Sequence, residues 1–293
     1  MACIHFCLLC HTEGPADAIT RGVAAMLALR EKVERQTGKR LPVTWTLGTY
    51  HNRDPERKHP AVFETHEKLF KKLHERGDEI GLHPHGIPDQ NNIMKVDPFI
   101  RGDTQALIAA GFPRPKTIVV GTWSLYPSTL RIIEQAGYCV DSSVAGGKLV
   151  QNGVVIYEYP VDYTLHPIWR RPYRPARTNV MRAGNSAVVE IPASGHLLEF
   201  AKGEDEELVW EFFEHHISKR FKLRWQHRHE QAVDVFEVFW HPFEVLDSRS
   251  YGKSNGPLLR RFEEFLSSIS TWEGVVFSTV YDAAMDWERK QHD

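Results

Sequence analysis

The sequence predicts an α/β fold, with a parallel sheet and helices packed outside it. Three observations carry this reading. Short apolar runs of strand character alternate with amphipathic runs of about 10 to 20 residues. The helical runs close on Gly77, Gly111 and Gly137, where a residue without a Cβ adopts the left-handed cap at no cost. Several strands also deliver histidines or carboxylates at their C-terminal ends, the edge where α/β proteins gather ligands and catalytic groups.

Taken in order, Ala2 to Leu9 is an apolar strand that leads into the loop His11 to Pro15. Ala16 to Gln36 places Ile19, Val23, Met26, Leu27 and Val33 at helical spacing. Leu41 to Gly48 is a second, buried strand. Ala61 to Arg76 reads as a helix with Val62, Phe63, Leu69, Phe70 and Leu73 on one face, and Glu79 to Leu82 follows as a short strand. A helix from Asp97 to Ala110, a strand from Thr117 to Val120 and a helix from Pro127 to Ala136 continue the alternation.

The middle, from Gly147 to Gly195, is rich in Tyr, Pro and Arg, with extended pieces at Val154 to Tyr159 and Ala187 to Ile191. It reads as a strand-and-loop insertion over the sheet, at about 147–195, within a single domain spanning 1–293. Glu204 to Arg220 reads as an amphipathic helix. Val233 to Trp240 is a strand broken in its apolar run only by Asp234 and Glu237. A helix from Leu258 to Ser270, a strand from Gly274 to Thr279 and a helix from Val280 to Arg289 complete the chain.

The bulk composition bounds the function. With 293 residues, 42% hydrophobic and 25% charged, the chain has the composition of a globular protein with a large core. A net charge of -2 gives no reason to expect nucleic acid or an anionic membrane as a partner. No apolar run approaches the roughly 18 residues of a membrane helix. The apolar start lacks a basic flank and a small-residue cleavage site, so a cytoplasmic location is expected. Cys7-Leu8-Leu9-Cys10-His11 spells the spacing of c-type haem attachment. The same strip reads as a strand whose successive side chains face opposite ways, so Cys3, Cys7, Cys10 and Cys139 are expected as core cysteines in a reducing compartment.

The chemistry concentrates at three strand ends: His11-Thr12-Glu13, His83-Pro84-His85 and Trp240-His241. Alternate residues of an extended segment point the same way, so the imidazoles of His83 and His85 can converge on one ion. If the sheet curls into a barrel, the three loops surround one mouth. One carboxylate and two imidazoles make a zinc shell with a position open for water. A further histidine on each side then offers a base and an acid.

With these parts in place, the chain resembles the polysaccharide deacetylase (NodB-homology) superfamily, also called carbohydrate esterase family 4, as a divergent member. The resemblance runs from Cys3 to about Glu288. It rests on Gly77 to His83, Gly121 to Pro127, Gly137-Tyr138, Asp141 to Val144, Val189-Glu190-Ile191-Pro192 and Phe239 to Glu244. It implies an irregular (β/α)7 barrel of the NodB-homology type, a hydrolase that removes N-acetyl groups from amino sugars. It also implies one divalent metal ion, usually zinc, with cobalt, manganese or nickel as substitutes.

Residue by residue, Glu13 matches the family's metal carboxylate and His83 its first metal histidine. The family's second histidine stands four residues on, where this chain has Ile87, so His85 takes that place. His11 stands where the family has its Asp base, and Val119 stands where an Arg often supports that Asp. The two departures agree physically, since a His base near pKa 6.5 needs no cation beside it. His241 matches the histidine that protonates the leaving amine. Gly121, Trp123 and Trp240, at strand ends, are the candidate substrate-binding positions. The arginines from Arg170 to Arg182 read as a solvated loop, with an anion clamp as the other reading.

The function these expectations favour is N-acyl (acetyl or formyl) hydrolysis on an amino sugar or glycan precursor, in surface polysaccharide or lipopolysaccharide synthesis. The opposing reading is a catalytically degenerate member that binds glycan or a partner protein, motivated by the lost Asp and Arg. A deacylase for a non-sugar amide is the third.

Overall fold

The ten residues of β1 (Cys3–Thr12) sort themselves by alternation. Ile4, Phe6, Leu8 and Cys10 join one apolar cluster, and Cys7 and Leu9 join a second. The first cluster lies between the sheet and its helices, and the second fills the space inside the sheet. His5 and His11 therefore face inward, one near each end of the strand.

The computed structural model describes residues 2–48, 60–88, 94–123, 125–144, 148–151, 154–158, 171–200, 208–210, 217–230, 232–246 and 254–292. After β1 come α1 (Ala16–Thr37), β2 (Val43–Gly48), α2 (Glu67–Glu75), β3 (Glu79–His83), α3 (Asp97–Ala109), β4 (Thr117–Ile118), α4 (Pro127–Ala136) and β5 (Val140–Asp141). The strand β6 has two pieces, Val189–Glu190 and Ala193–His196. Then follow α5 (Ile217–Gln226), β7 (Val233–Trp240), α6 (Gly256–Ile269), β8 (Val275–Ser278) and α7 (Val280–His292).

Every pairing in the main sheet is parallel. The order runs β1, β2, β3, β4, β5, then the first piece of β6, while the second piece pairs with β7 and β7 with β1. One bent stretch of chain thus joins both ends of the sheet and closes a ring of seven strands, an irregular (β/α)7 barrel. The extended piece expected at Ala187 to Ile191 lies in this wall. β8 pairs only with the lower half of β1, from Ile4 opposite Val275 to Cys7 opposite Ser278, and β2 takes the upper half of the same edge. α7 follows β8 beneath the barrel, where Val280, Ala283, Ala284 and Trp287 pack against Cys7, Val233 and Val235.

Several sequence expectations are corrected. β1 continues to Thr12, paired with Leu47, so His11 lies on the strand rather than in the following loop. The helix expected over Ala61 to Arg76 breaks at His66, leaving one turn, Val62–Thr65, before α2. Of the helix expected from Glu204 to Arg220, residues 208–210 form a strand, Leu208–Trp210, antiparallel to Lys148–Gln151, and α5 starts at Ile217, while 204–207 and 211–216 lie outside the described residues. Leu208-Val209-Trp210 suits a strand once a partner edge is present, and pairing then overrides helical periodicity. In the Arg-rich stretch, Arg174 pairs with Glu288, and Arg177 lies 3.1 Å from Glu134. These two guanidiniums are held by the chain's own carboxylates, while Arg170 lies outside the described residues. No helix among the described residues is long and apolar enough to cross a membrane.

Asp78 ties the first layers together. Its oxygens accept Arg30 Nη1 at 2.9 and 2.6 Å, Trp45 Nε1 at 3.0 Å and the Val43 amide at 3.3 Å. Helix α1, strand β2 and the turn into β3 thus share one buried carboxylate. Replacing Asp78 with Ala leaves Arg30, 2% exposed, without that partner. Asp78→Ala is expected to cost about 3–5 kcal/mol in denaturant unfolding.

Glu237 presents the opposite case. It is fully buried inside the barrel beside Cys7, with Ser142 Oγ at 3.4 Å. Burial raises its pKa well above the carboxylate range, against a smaller opposing effect of Ser142. A carboxyl raised in the folded state contributes stability at low pH and loses it as pH rises through its folded pKa. The thermal midpoint of Glu237→Gln, relative to the parent chain, is therefore expected to climb from about pH 4 upward. A flat difference across pH 4 to 8 would refute a neutral, buried Glu237.

Candidate metal centre and active site

The upper mouth of the barrel collects the C-terminal ends of β1, β3 and β7. β1 brings His11 and, just beyond its last residue Thr12, Glu13. β3 ends in His83, and the following extended residues bring back His85. Glu13 Oε2 lies 2.6 Å from His85 Nε2 and 3.9 Å from His83 Nε2, and the two Nε2 atoms are 3.1 Å apart. One donor atom from each of these three residues lies within 4.8 Å of the others.

The donor chemistry fits a divalent metal. The Nδ1 of His83 lies 2.8 Å from the Val119 carbonyl, so this nitrogen carries the proton and donates it. Its Nε2 then presents a lone pair toward Glu13 and His85, the tautomer a metal-ligating imidazole needs. Burial, then the neighbouring His85, lowers the His83 pKa to about 3, which keeps the ring neutral. Burial alone would raise Glu13, but the surrounding imidazoles of His85, His83 and His241 hold its carboxyl well below the usual range. The carboxylate is thus ionised and the neighbouring ring neutral, as a zinc-type shell requires.

His11 stands apart from this group. Its ring stacks on His83 at 4.6 Å and on Phe239 at 5.2 Å, with Trp123 at 5.2 Å on another side. Burial first, then His83 and His241, pushes its pKa well below the ordinary value, so it is neutral. Its Nε2 is buried with no hydrogen-bond partner among the described residues. His241 lies across from it, ring to ring at 5.1 Å, with Nε2 3.5 Å from Glu13 Oε1. Burial alone would lower its pKa, but Glu244 and then Glu13 raise it overall. One histidine of the pair is held neutral and the other toward the cation.

Glu244 and His196 were not singled out from the sequence. Glu244 Oε1 lies 2.9 Å from His241 Nδ1 and 3.0 Å from His196 Nε2, while its Oε2 accepts the His241 amide at 2.7 Å. The His-Pro-Phe-Glu spacing was the available signal, since the Glu reaches back over a single turn to the residue that starts it. His196 carried no comparable signal. It sits at the end of β6, and only barrel closure brings it beside β7.

The candidate substrate positions divide. Trp123 lines the mouth beside His11, held at φ 55°, a left-handed conformation costing of order 1–3 kcal/mol for a bulky residue. Trp240 does not reach the mouth. Alternation along β7 turns it outward, where it is fully buried against Trp45 at 5.6 Å, so it packs the core and offers no sugar platform. Gly121 acts as a spacer, since a Cβ there would lie 2.5 to 2.7 Å from the His85 ring.

No family model matches the chain, and no curated protein matches it. Solved structures do. An allantoinase, PuuE, superposes with a TM-score of 0.60 at 14% identity, covering 98% of this chain and 90% of that one. A protein assigned as a polysaccharide deacetylase from Mycobacterium smegmatis gives 0.57 at 12%, covering 99% and 92%. Another so assigned, from Pseudomonas aeruginosa PAO1, gives 0.57 at 14%, covering 98% and 91%. At these identities the likeness shows the fold. The chain has an irregular (β/α)7 barrel of the kind these proteins share.

Gly121→Ala pushes a methyl group into the His85 ring and is expected to weaken metal binding about 10–100-fold, the range for lost supporting contacts. Competition with a chelating dye measures this. Unchanged affinity would show that His85 is not a ligand.

Proposed function

We propose that this chain is a metal-dependent amide hydrolase that removes an N-acyl group, acetyl or formyl, from an amino sugar in surface polysaccharide or lipopolysaccharide synthesis. One observation carries the reading: an ionised carboxylate and two imidazoles converge at the barrel mouth, between a neutral histidine and a raised-pKa histidine. Glu13, His83 and His85 would hold the metal, with zinc favoured by the N/O donor set. When bound, the ion supplies Lewis-acid polarisation of the carbonyl and of the attacking water.

The chain's own residues divide the proton work. Neutral His11, its Nε2 free to accept, takes the proton of the attacking water. His241 gives a proton to the departing amine, and Glu244 on its Nδ1 keeps that ring oriented and favours its protonated form. The indole of Trp123, against His11, walls one side of the mouth. A glycan precursor is the substrate class this reading assigns. The same fold also carries an allantoinase, so a small non-sugar amide is the second reading.

Two measurements test this. The metal content of the purified chain is expected to fall by one zinc-class ion per chain, the one bound at Glu13, His83 and His85, in Glu13→Ala and His83→Ala. With metal bound, His11→Ala and His241→Ala are each expected to lower kcat by about 10²–10⁴ on an N-acetyl or N-formyl amino sugar while keeping that ion. Full turnover in either variant would remove its assigned role. Turnover confined to a non-sugar amide would favour the second reading, and absence of the upper ion would favour the glycan-binding alternative.

A further inference from the structure

The opposite end of the barrel holds a second convergence of metal-ligand types. His5 faces inward near the start of β1, and Cys3 lies on the same side two residues earlier. Asp286 comes up from α7. Cys3 Sγ lies 3.7 Å from His5 Nε2 and 3.9 Å from Asp286 Oδ2, and His5 Nε2 lies 2.9 Å from that same oxygen. The edges of a tetrahedral zinc shell built from S, N and O donors measure about 3.3–3.6 Å. The three donors thus need to shift by only a few tenths of an ångström around one ion.

Their surroundings leave the right atoms facing inward. Ser278 Oγ lies 2.6 Å from His5 Nδ1, so the hydroxyl can hold the proton on that side and leave Nε2 as the donor atom. Arg289 engages the other oxygen of Asp286, Oδ1, which leaves Oδ2 directed at His5 and Cys3. The His5 side chain is 7% exposed and that of Asp286 21%, and Cys3 is part-buried, so the imidazole is dry while the thiol and carboxylate side opens to water. Three donors and one solvent-facing position make a four-coordinate shell.

We propose that Cys3, His5 and Asp286 bind a second divalent cation of the zinc class at the base of the barrel. The ion would clamp the C-terminal helix α7 to the first strand. Binding displaces the thiol proton of Cys3 and forms a sulfur–metal bond, with no change of oxidation state. The site stands independently of the upper centre, which contains no thiol.

Cobalt(II) titration of the metal-free full chain tests this. The expected result is a thiolate-to-cobalt charge-transfer band that saturates by two cobalt per chain in the parent, where the upper centre also fills, and at one in His83→Ala. The band is lost in Cys3→Ser, weakened in Asp286→Asn and unchanged in Cys139→Ser and His83→Ala. Zinc is expected to raise the thermal midpoint of the parent chain by more than that of Cys3→Ser, and that of His83→Ala by more than that of the double variant His83→Ala/Cys3→Ser. The absence of a thiolate band in the parent chain, or its survival in Cys3→Ser, overturns the proposal. Because His83→Ala removes only the upper centre, failure of the proposed hydrolase and failure of this site give different spectra.

Discussion

A strand hydrogen-bonded along both edges cannot slip by one residue without exchanging its two faces. β1 is such a strand, with β7 along one edge and β8 and β2 sharing the other. Its register puts Ile4, Phe6, Leu8 and Cys10 against the helices and turns His5, Cys7, Leu9 and His11 into the barrel. A one-residue slip would bury the histidines among helix side chains and empty both ends of the barrel. The upper centre and the lower Cys3–His5–Asp286 cluster are therefore two ends of a single alternating pattern.

Buried ionisable groups in this barrel are handled in three ways. Asp78 is fully paired with Arg30, Trp45 and Val43, and it holds α1 against the sheet. Glu13 keeps its charge because imidazoles surround it. Glu237 has a serine hydroxyl at 3.4 Å and no cation to offset its burial, which pushes its pKa well above the usual range. The difference follows from neighbours, since desolvation opposes the charged form in each case. The neighbours of each carboxylate thus decide whether its charge is paired, held among imidazoles or disfavoured by burial.

Helix α1 also governs the His241 side of the mouth. At Gly22 a Cβ would lie 1.9 Å from the Pro242 carbonyl oxygen, so the helix backbone presses directly on the turn that follows His241. Glu244 closes that turn onto the His241 amide and ring. The placement of His241 therefore depends on α1, which Asp78 anchors through Arg30. A contact more than two hundred residues apart in sequence becomes one rigid support.

The strand and helix alternation, the His83–His85 pair, Glu13 and the two flanking histidines were legible in the sequence because each rests on local periodicity or short spacing. The misreadings were tertiary in origin. Leu208-Val209-Trp210 became a strand because a partner edge was available, and Trp240 became core because the register of β7 turned it outward. His196 entered the site only when the bent β6 closed the ring, and Asp286 met Cys3 and His5 only when α7 passed beneath the barrel. By itself, the sequence determined which residues could face together along each strand, since alternation is a property of the backbone. Which strand ends and helices meet was decided by the closure of the sheet, because parallel strands joined by helices bring together residues that no local rule relates.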